Sequence, residues 1–358
     1  MNNGRANDRP VSNLLEALYK VKRRNESFAL SLDASAHRFL RGKWTPCLPH
    51  NPRVPDRSLT TPAASSEPAV AGVHYENFPV ASWLCPPQLR APIAAIYGFA
   101  RTADDIADEG DATPEERLAE IAAFRLDLAA AASGKSDSGR WPAVFQPLAG
   151  AIAQFDLPEA LLADLLDAFS QDIRKTRDGA AYADRAELLD YCARSANPVG
   201  RLLLHLYRID DAQSLRQSDA ICSALQLINF WQDVSVDLPR GRFYLPLSDC
   251  AAHGLSREDF RAFRPLGASL PPAAALALIA AEVEWARQLM QSGAALVHRI
   301  PGRAGWELRL VVQGGLAILD KIQARRFDTF SHRPKVGARD VPRLAWHALR
   351  MRGQSRHA

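Results

Sequence analysis

Cysteine, histidine and methionine are sparse in this chain, and none of them falls into a pattern. The five cysteines, Cys47, Cys85, Cys192, Cys222 and Cys250, are widely spaced with no C-x-x-C pair. That excludes a disulfide framework and a zinc ribbon, and it fits a reducing compartment. The nine histidines form no H-x-x-x-H pair. No apolar run approaches the ~20 residues that cross a bilayer, and the N-terminus lacks the apolar core of a signal peptide. A cytoplasmic protein is therefore expected. No segment alternates with period two, so a sheet is not expected. No internal repeat marks a solenoid scaffold, and no G-x-G-x-x-G unit marks a Rossmann fold. The net charge of +4 over 358 residues does not call for nucleic acid.

Apolar residues make up 47% of the chain, and Ala and Leu outnumber the β-branched types, which favours helix. Residues 1–70 include a basic amphipathic stretch, Leu14–Phe28, and a Pro/Ser/Thr-rich run from Pro46 to Pro68. So few large apolar groups cannot offset ordering entropy, and this segment reads as a disordered extension. From residue 74 to 335 the pattern is that of one helical domain. Thr113, Pro114 and Glu116 spell a capping box with Pro at the first helical position. Asp156, Pro158 and Glu159 suggest a second helix start of the same kind. Asn197-Pro198 should break the helical run from Ala186 to Tyr207. Residues 336–358 form a basic tail. Basic residues gather from Lys321 through Arg333, Arg343 and Arg350 to Arg356, and two readings stand: a solvated surface, or contact with phosphates or an anionic membrane.

Two acidic motifs stand out. Asp104 and Asp108, with Asp105 and Glu109 beside them, end an apolar helix running from Pro92. Residues four apart share a helix face, and carboxylates are disfavoured at a helix C-terminus. Asn229, Asp233 and Asp237 repeat the spacing at i, i+4 and i+8, which predicts one helix face in an otherwise apolar stretch. Either motif alone usually marks a solvated face. Two of them with apolar flanks suit Mg²⁺, which joins one or two carboxylates to substrate phosphates and assists departure of a diphosphate. The carbocation left behind would need apolar and aromatic walls. Phe78, Trp83, Tyr97, Phe99, Tyr191, Phe230 and Trp231 are the candidates.

These blocks resemble the squalene/phytoene synthase family. The first contains Asn77, Phe78, Pro79, Arg90, Tyr97, Arg101, Asp104, Asp105, Asp108 and Glu109. The second contains Tyr191, Asn197, Pro198, Val199 and Gly200. The third runs from Gln226 and Asn229 through Asp233, Asp237, Gly241 and Arg242 to Tyr244 and Pro246. The last contains Phe327, Asp328, Phe330 and Arg333. The resemblance implies an all-α, single-domain isoprenoid-synthase fold with helices around a central cavity. It implies Mg²⁺ at Asp104 and Asp108 on one wall and at Asn229, Asp233 and Asp237 on the other. Arg101, Arg242 and Arg333 would hold the diphosphate, and Tyr97, Tyr191 and Tyr244 would face the phosphates or the cation, unless they simply pack in the core.

The departures point to one branch. Gln232 stands where the family usually has Arg before the Asp, and Asn197-Pro198-Val199-Gly200 replaces Gly-Thr-Val-Gly. Both resemble the hopanoid-pathway branch, whose hydroxysqualene synthases convert presqualene diphosphate to an alcohol with water. Gln232 and Asn197, the latter expected to be exposed beside Pro198, could position that water, and NADPH is not expected to be used. Presqualene or farnesyl diphosphate would be the partner, with neighbouring hopanoid-pathway enzymes and a peripheral membrane contact also implied. The alternatives are a squalene or phytoene synthase joining two prenyl diphosphates head to head, or a non-catalytic assembly factor of the same fold.

Overall fold

The computed structural model describes residues 85–261 and 271–351. The expected extension at residues 1–70, the stretch Leu14–Phe28, and Phe78 and Trp83 lie outside these residues. No strand occurs among those described, which form an all-helical fold.

Helix α1 (Pro87–Asp108) carries Leu89, Ile93, Ile96, Ala100, Ala103 and Ala107 buried at three- and four-residue steps, the stripe that seats a helix on a core. It packs against α3 (Pro142–Phe155) and α4 (Glu159–Asp178), while α2 (Pro114–Ala132) packs against α3 and α4. The capping box holds: the Glu116 N–H donates to Thr113 Oγ1 at 3.2 Å, and the Thr113 N–H donates to Glu116 Oε2 at 2.7 Å. The second expected cap does not. Asp156 adopts φ 53° and closes α3, and α4 starts without a side-chain cap. An Asp tolerates the left-handed region, so it can end a helix as readily as begin one.

Helices α5 (Arg185–Ser195) and α6 (Asn197–Leu206) are separated at Ala196, because Pro198 has no N–H with which to continue the α5 ladder. Helix α7 (Ala212–Gln232) is the central element, packed against α6, α11 (Ala273–Gly293) and α12 (Gly302–Ala324). A Cβ on Gly200 would stand 2.4 Å from Ser218 Oγ and 2.6 Å from Cys222 Sγ, so only glycine lets α6 approach α7 this closely. Short helices α8 (Val234–Asp237), α9 (Leu247–Ala252) and α10 (Arg257–Arg261) follow α7. Within the basic stretch after residue 335, Val341–Arg350 forms helix α13, which packs on α12 and buries Leu344 and Ala348.

Two apolar clusters result. One joins α1 to α4 with Leu202 and Leu206 of α6. The other joins α5, α7, α11 and α12. Phe99 stacks on Phe124 at 5.1 Å in the first, and Trp231 lies against Trp285 in the second. Phe99 and Trp231 are fully buried in these cores.

Candidate active site

The last turn of α1 forms one acidic wall. Asp104 is buried and Asp108 nearly so. Burial, with Asp108 beside it, pushes the Asp104 carboxyl up to about 7, and burial raises Asp105 to about 6. Arg101, one turn earlier, donates to Asp104 at 2.9 Å and to Glu109 at 2.9 Å, and it pairs with Asp105 at 2.5 Å. Tyr97 is half-buried one further turn back. Arg242 reaches across from the other half of the fold to donate to Asp108 at 2.8 Å. Its approach is set by the turn at Gly241, whose φ of 76° favours glycine and lets the Arg242 N–H close on the Asp237 carbonyl at 3.1 Å.

The opposite wall departs from the single helix face that its spacing predicts. Asn229 sits in the last turn of α7, but the helix ends at Asp233, and Asp237 closes the separate helix α8. The Ser235 N–H donates out of the helix to the Thr329 carbonyl at 3.1 Å, which explains the break. Arg333 grips both oxygens of Asp233 with Nε and Nη2, the latter at 2.9 Å. Gln232 Nε2 donates to the Pro334 carbonyl at 2.5 Å. The segment after α12 is thus laid along the broken helix. Burial, with Asp233 nearby, raises the Asp237 carboxyl to about 7.

Aromatic rings lie beside the walls. Tyr244 stacks on Phe230 at 3.8 Å, with Tyr191 and Tyr182 in contact around them. Tyr191 donates its hydroxyl to Asp172 at 2.6 Å.

A squalene/phytoene synthase model matches residues 72–340. The chain belongs to the squalene/phytoene synthase family. It is 36% identical over 261 residues to a hydroxysqualene synthase of Sinorhizobium fredii, covering 72% of this chain and 82% of that one. A second hydroxysqualene synthase, from Zymomonas mobilis, is 37% identical over 207 residues, which are 56% of this chain and 63% of the relative. The crystal structure of squalene synthase HpnC from Alicyclobacillus acidocaldarius superposes with a TM-score of 0.63 at 35% identity, covering 71% of this chain and 90% of that one.

For this squalene/phytoene synthase relative, the expected residues divide unevenly. Arg101 bonds Asp104, Asp105 and Glu109 in one group, Arg242 and Asp108 form a pair beside it, and Asp233 and Arg333 form a third group. Asn197 is not exposed beside Pro198 as expected. It is buried, and its Oδ1 accepts from Ser223 at 2.9 Å, so it ties α6 to α7. Among the described residues, no three His, Cys, Asp or Glu side chains converge to hold an ion by themselves. The donor chemistry still fits a cation shared with phosphate. Asp237 Oδ2 is a buried acceptor and Asn229 Nδ2 a buried donor without a partner, suited to a cation and a phosphate oxygen respectively. The carboxyls raised by burial, then by mutual repulsion, are ones a cation would stabilise. Asp172 is the residue that sequence reasoning misses. Burial pushes its carboxyl up to about 7 despite the Tyr191 hydrogen bond. The signal was present, since Asp172 falls four residues after buried Ala168 and seven after buried Leu165, on the apolar side of α4.

Proposed function

We propose that this family member ionises presqualene diphosphate with Mg²⁺ and captures the rearranged cation with water, giving hydroxysqualene. Asp104 and Asp108 on one wall, and Asn229, Asp233 and Asp237 on the other, would hold Mg²⁺, which supplies Lewis-acid neutralisation of the departing diphosphate. Arg101, Arg242 and Arg333, now paired with those carboxylates, would turn their guanidinium groups to the phosphate oxygens. The C–O bond breaks with its electron pair going to the diphosphate. The Phe230, Tyr244 and Tyr191 rings then face the cation with their negative π-surfaces. Tyr191 stays a neutral phenol, because burial and Asp172 raise its pKa.

The observation that carries the water step is Gln232. Its Nε2 is committed to Pro334, and its buried Oε1 has no donor. A water could donate one proton to that oxygen and attack the cation through its own lone pair, losing the other proton to released diphosphate. An arginine in this position would offer no acceptor. The two relatives named hydroxysqualene synthase support the same reading.

The test supplies purified protein and Mg²⁺ with presqualene, farnesyl or geranylgeranyl diphosphate, with and without NADPH, in ¹⁸O-labelled water. Hydroxysqualene carrying the label, formed without NADPH, is the expected product. Squalene formed only with NADPH, or phytoene from geranylgeranyl diphosphate, would overturn the reading in favour of head-to-head synthesis.

A further inference from the structure

We propose that the outer face of α12 and α13 docks this chain on an anionic phospholipid surface. Five large apolar side chains are exposed among the described residues, and three of them, Trp306, Trp346 and Leu349, fall on these two helices. Clustering of this kind marks an interaction site, whereas single exposed residues do not. Helix α13 has two apolar stripes. Leu344 and Ala348 are buried against α12, while Pro342, Ala345, Trp346 and Leu349 are exposed around the opposite side. One buried stripe is enough to seat a helix, so the fold has no use for the second.

Arginines bind the patch together and give it its charge. Arg309 lies over the Trp306 ring at 4.5 Å and donates to the Met351 carbonyl at 3.1 Å, which brings Trp306 of α12 to the C-terminal end of α13. Arg350 lies over the Trp346 ring at 4.2 Å. Tryptophan presents an apolar body and a polar edge, the combination that settles at headgroup depth. From residue 339 onward the chain carries Arg339, Arg343, Arg350, Arg352 and Arg356 against one acid, Asp340. Asp340 is itself paired with Lys321, and Arg343 is partly spent on Asp320 at 3.3 Å. Basic residues around exposed aromatics complement anionic lipid, each adding attraction near the surface, and an amphipathic helix of this kind lies in the plane of the interface.

A second observation lies behind the patch. The inward side of the same stretch of α12, through Ala304, Leu308 and Val311, lines an apolar cavity of about 160 Å³ that Val199 and Leu203 of α6 close from the other side. Docking on this face would set that cavity's wall against the bilayer. The docking does not depend on which product the enzyme forms.

The full chain is to be sedimented in 0.1 M salt with vesicles of dioleoylphosphatidylglycerol and dioleoylphosphatidylcholine in equal parts, and with vesicles of dioleoylphosphatidylcholine alone. Binding to the mixed vesicles, with a blue shift of tryptophan emission and loss of binding in 0.5 M salt, is expected. The W346S/L349S variant should partition at least about tenfold more weakly, with an unchanged melting temperature. Should that variant misfold, Arg350→Glu tests the charge alone, with a loss of binding in the same direction. Three results would overturn the proposal: equal binding by wild type and W346S/L349S, no binding by the wild type, or a wild-type dimer in light scattering that W346S/L349S turns into a monomer. The last would mean that a second copy of this chain covers the face.

Discussion

The two acidic walls solve the same electrostatic problem by different means. On α1 the carboxylates stay on one unbroken helix, and the counter-charge is mostly local, from Arg101 one turn away. On the far wall the helix breaks at Asp233, and the counter-charge comes from Arg333, one hundred residues further along the chain. The difference bears on what each site can tolerate. A wall neutralised by its own helix survives changes elsewhere, whereas a wall assembled from distant segments ties site chemistry to global stability.

The largest expected effect tests both walls. Asp104→Asn and Asp233→Asn should each lower kcat by about 10²-fold or more, as should excess chelator. Their stabilities should diverge. Asp104→Asn relieves repulsion with Asp108 and should leave the melting temperature unchanged or raised. Asp233→Asn weakens the grip on Arg333, which is mostly buried, and should cost about 2 kcal/mol in thermal denaturation. Identical melting curves for the two variants would abolish the contrast drawn above.

A smaller effect is expected where neither wall is touched. Tyr191→Phe removes the donor to Asp172 and should lower kcat about tenfold without altering the Mg²⁺ concentration for half-maximal rate. A shifted Mg²⁺ dependence would place Asp172 with the metal ligands instead.

The smallest effect uses an acidic pair that belongs to neither wall. Glu282 is fully buried, Asp249 lies beside it, and Arg185 bonds both. Burial, and the hydrogen bond a protonated Glu282 gives Asp249, push the Glu282 carboxyl up to about 8. Its folded pKa lies above its unfolded value, so the contribution is complete below about pH 4.5 and is lost as pH rises towards 8. Glu282 should contribute on the order of 3 kcal/mol to the fall in stability that chemical denaturation shows through that window, beside the raised carboxyls of the walls and Asp172. Glu282→Gln should make the slope shallower, most clearly between about pH 7 and 8, and leave kcat within about twofold. A slope unchanged in that variant would reassign the pH dependence to the walls.

Much of this was legible in the residues, where the causes are local. The α1 stripe, the Thr113 capping box and the stop before Pro198 each depend on neighbours within one turn, and each appears in the fold, although α1 starts at Pro87, before the Pro92 read as its beginning. The all-helical class followed from the same local signals. What escaped depends on contacts between distant segments. The spacing of Asn229, Asp233 and Asp237 is right for one helix, and only the Ser235 bond to Thr329 reveals why the helix stops. Asn197 looks exposed from its neighbour Pro198, but Ser223, on a different helix, takes its side chain inward. Asp172 sits in a helix rich in acids, among Asp164, Asp167 and Asp178, where charge alone did not set it apart.

The clamp on Asp233 also sets an order of events on the ribosome. With residues up to about 300 emerged, the α1 wall has its own arginine, and Arg242 is available to reach it. Asp233 still lacks the grip of Arg333, which has not yet emerged. The site therefore matures from its N-terminal side. A nascent chain cannot complete this acidic site until α12 has emerged and the segment carrying Thr329, Arg333 and Pro334 has folded back across the end of α7.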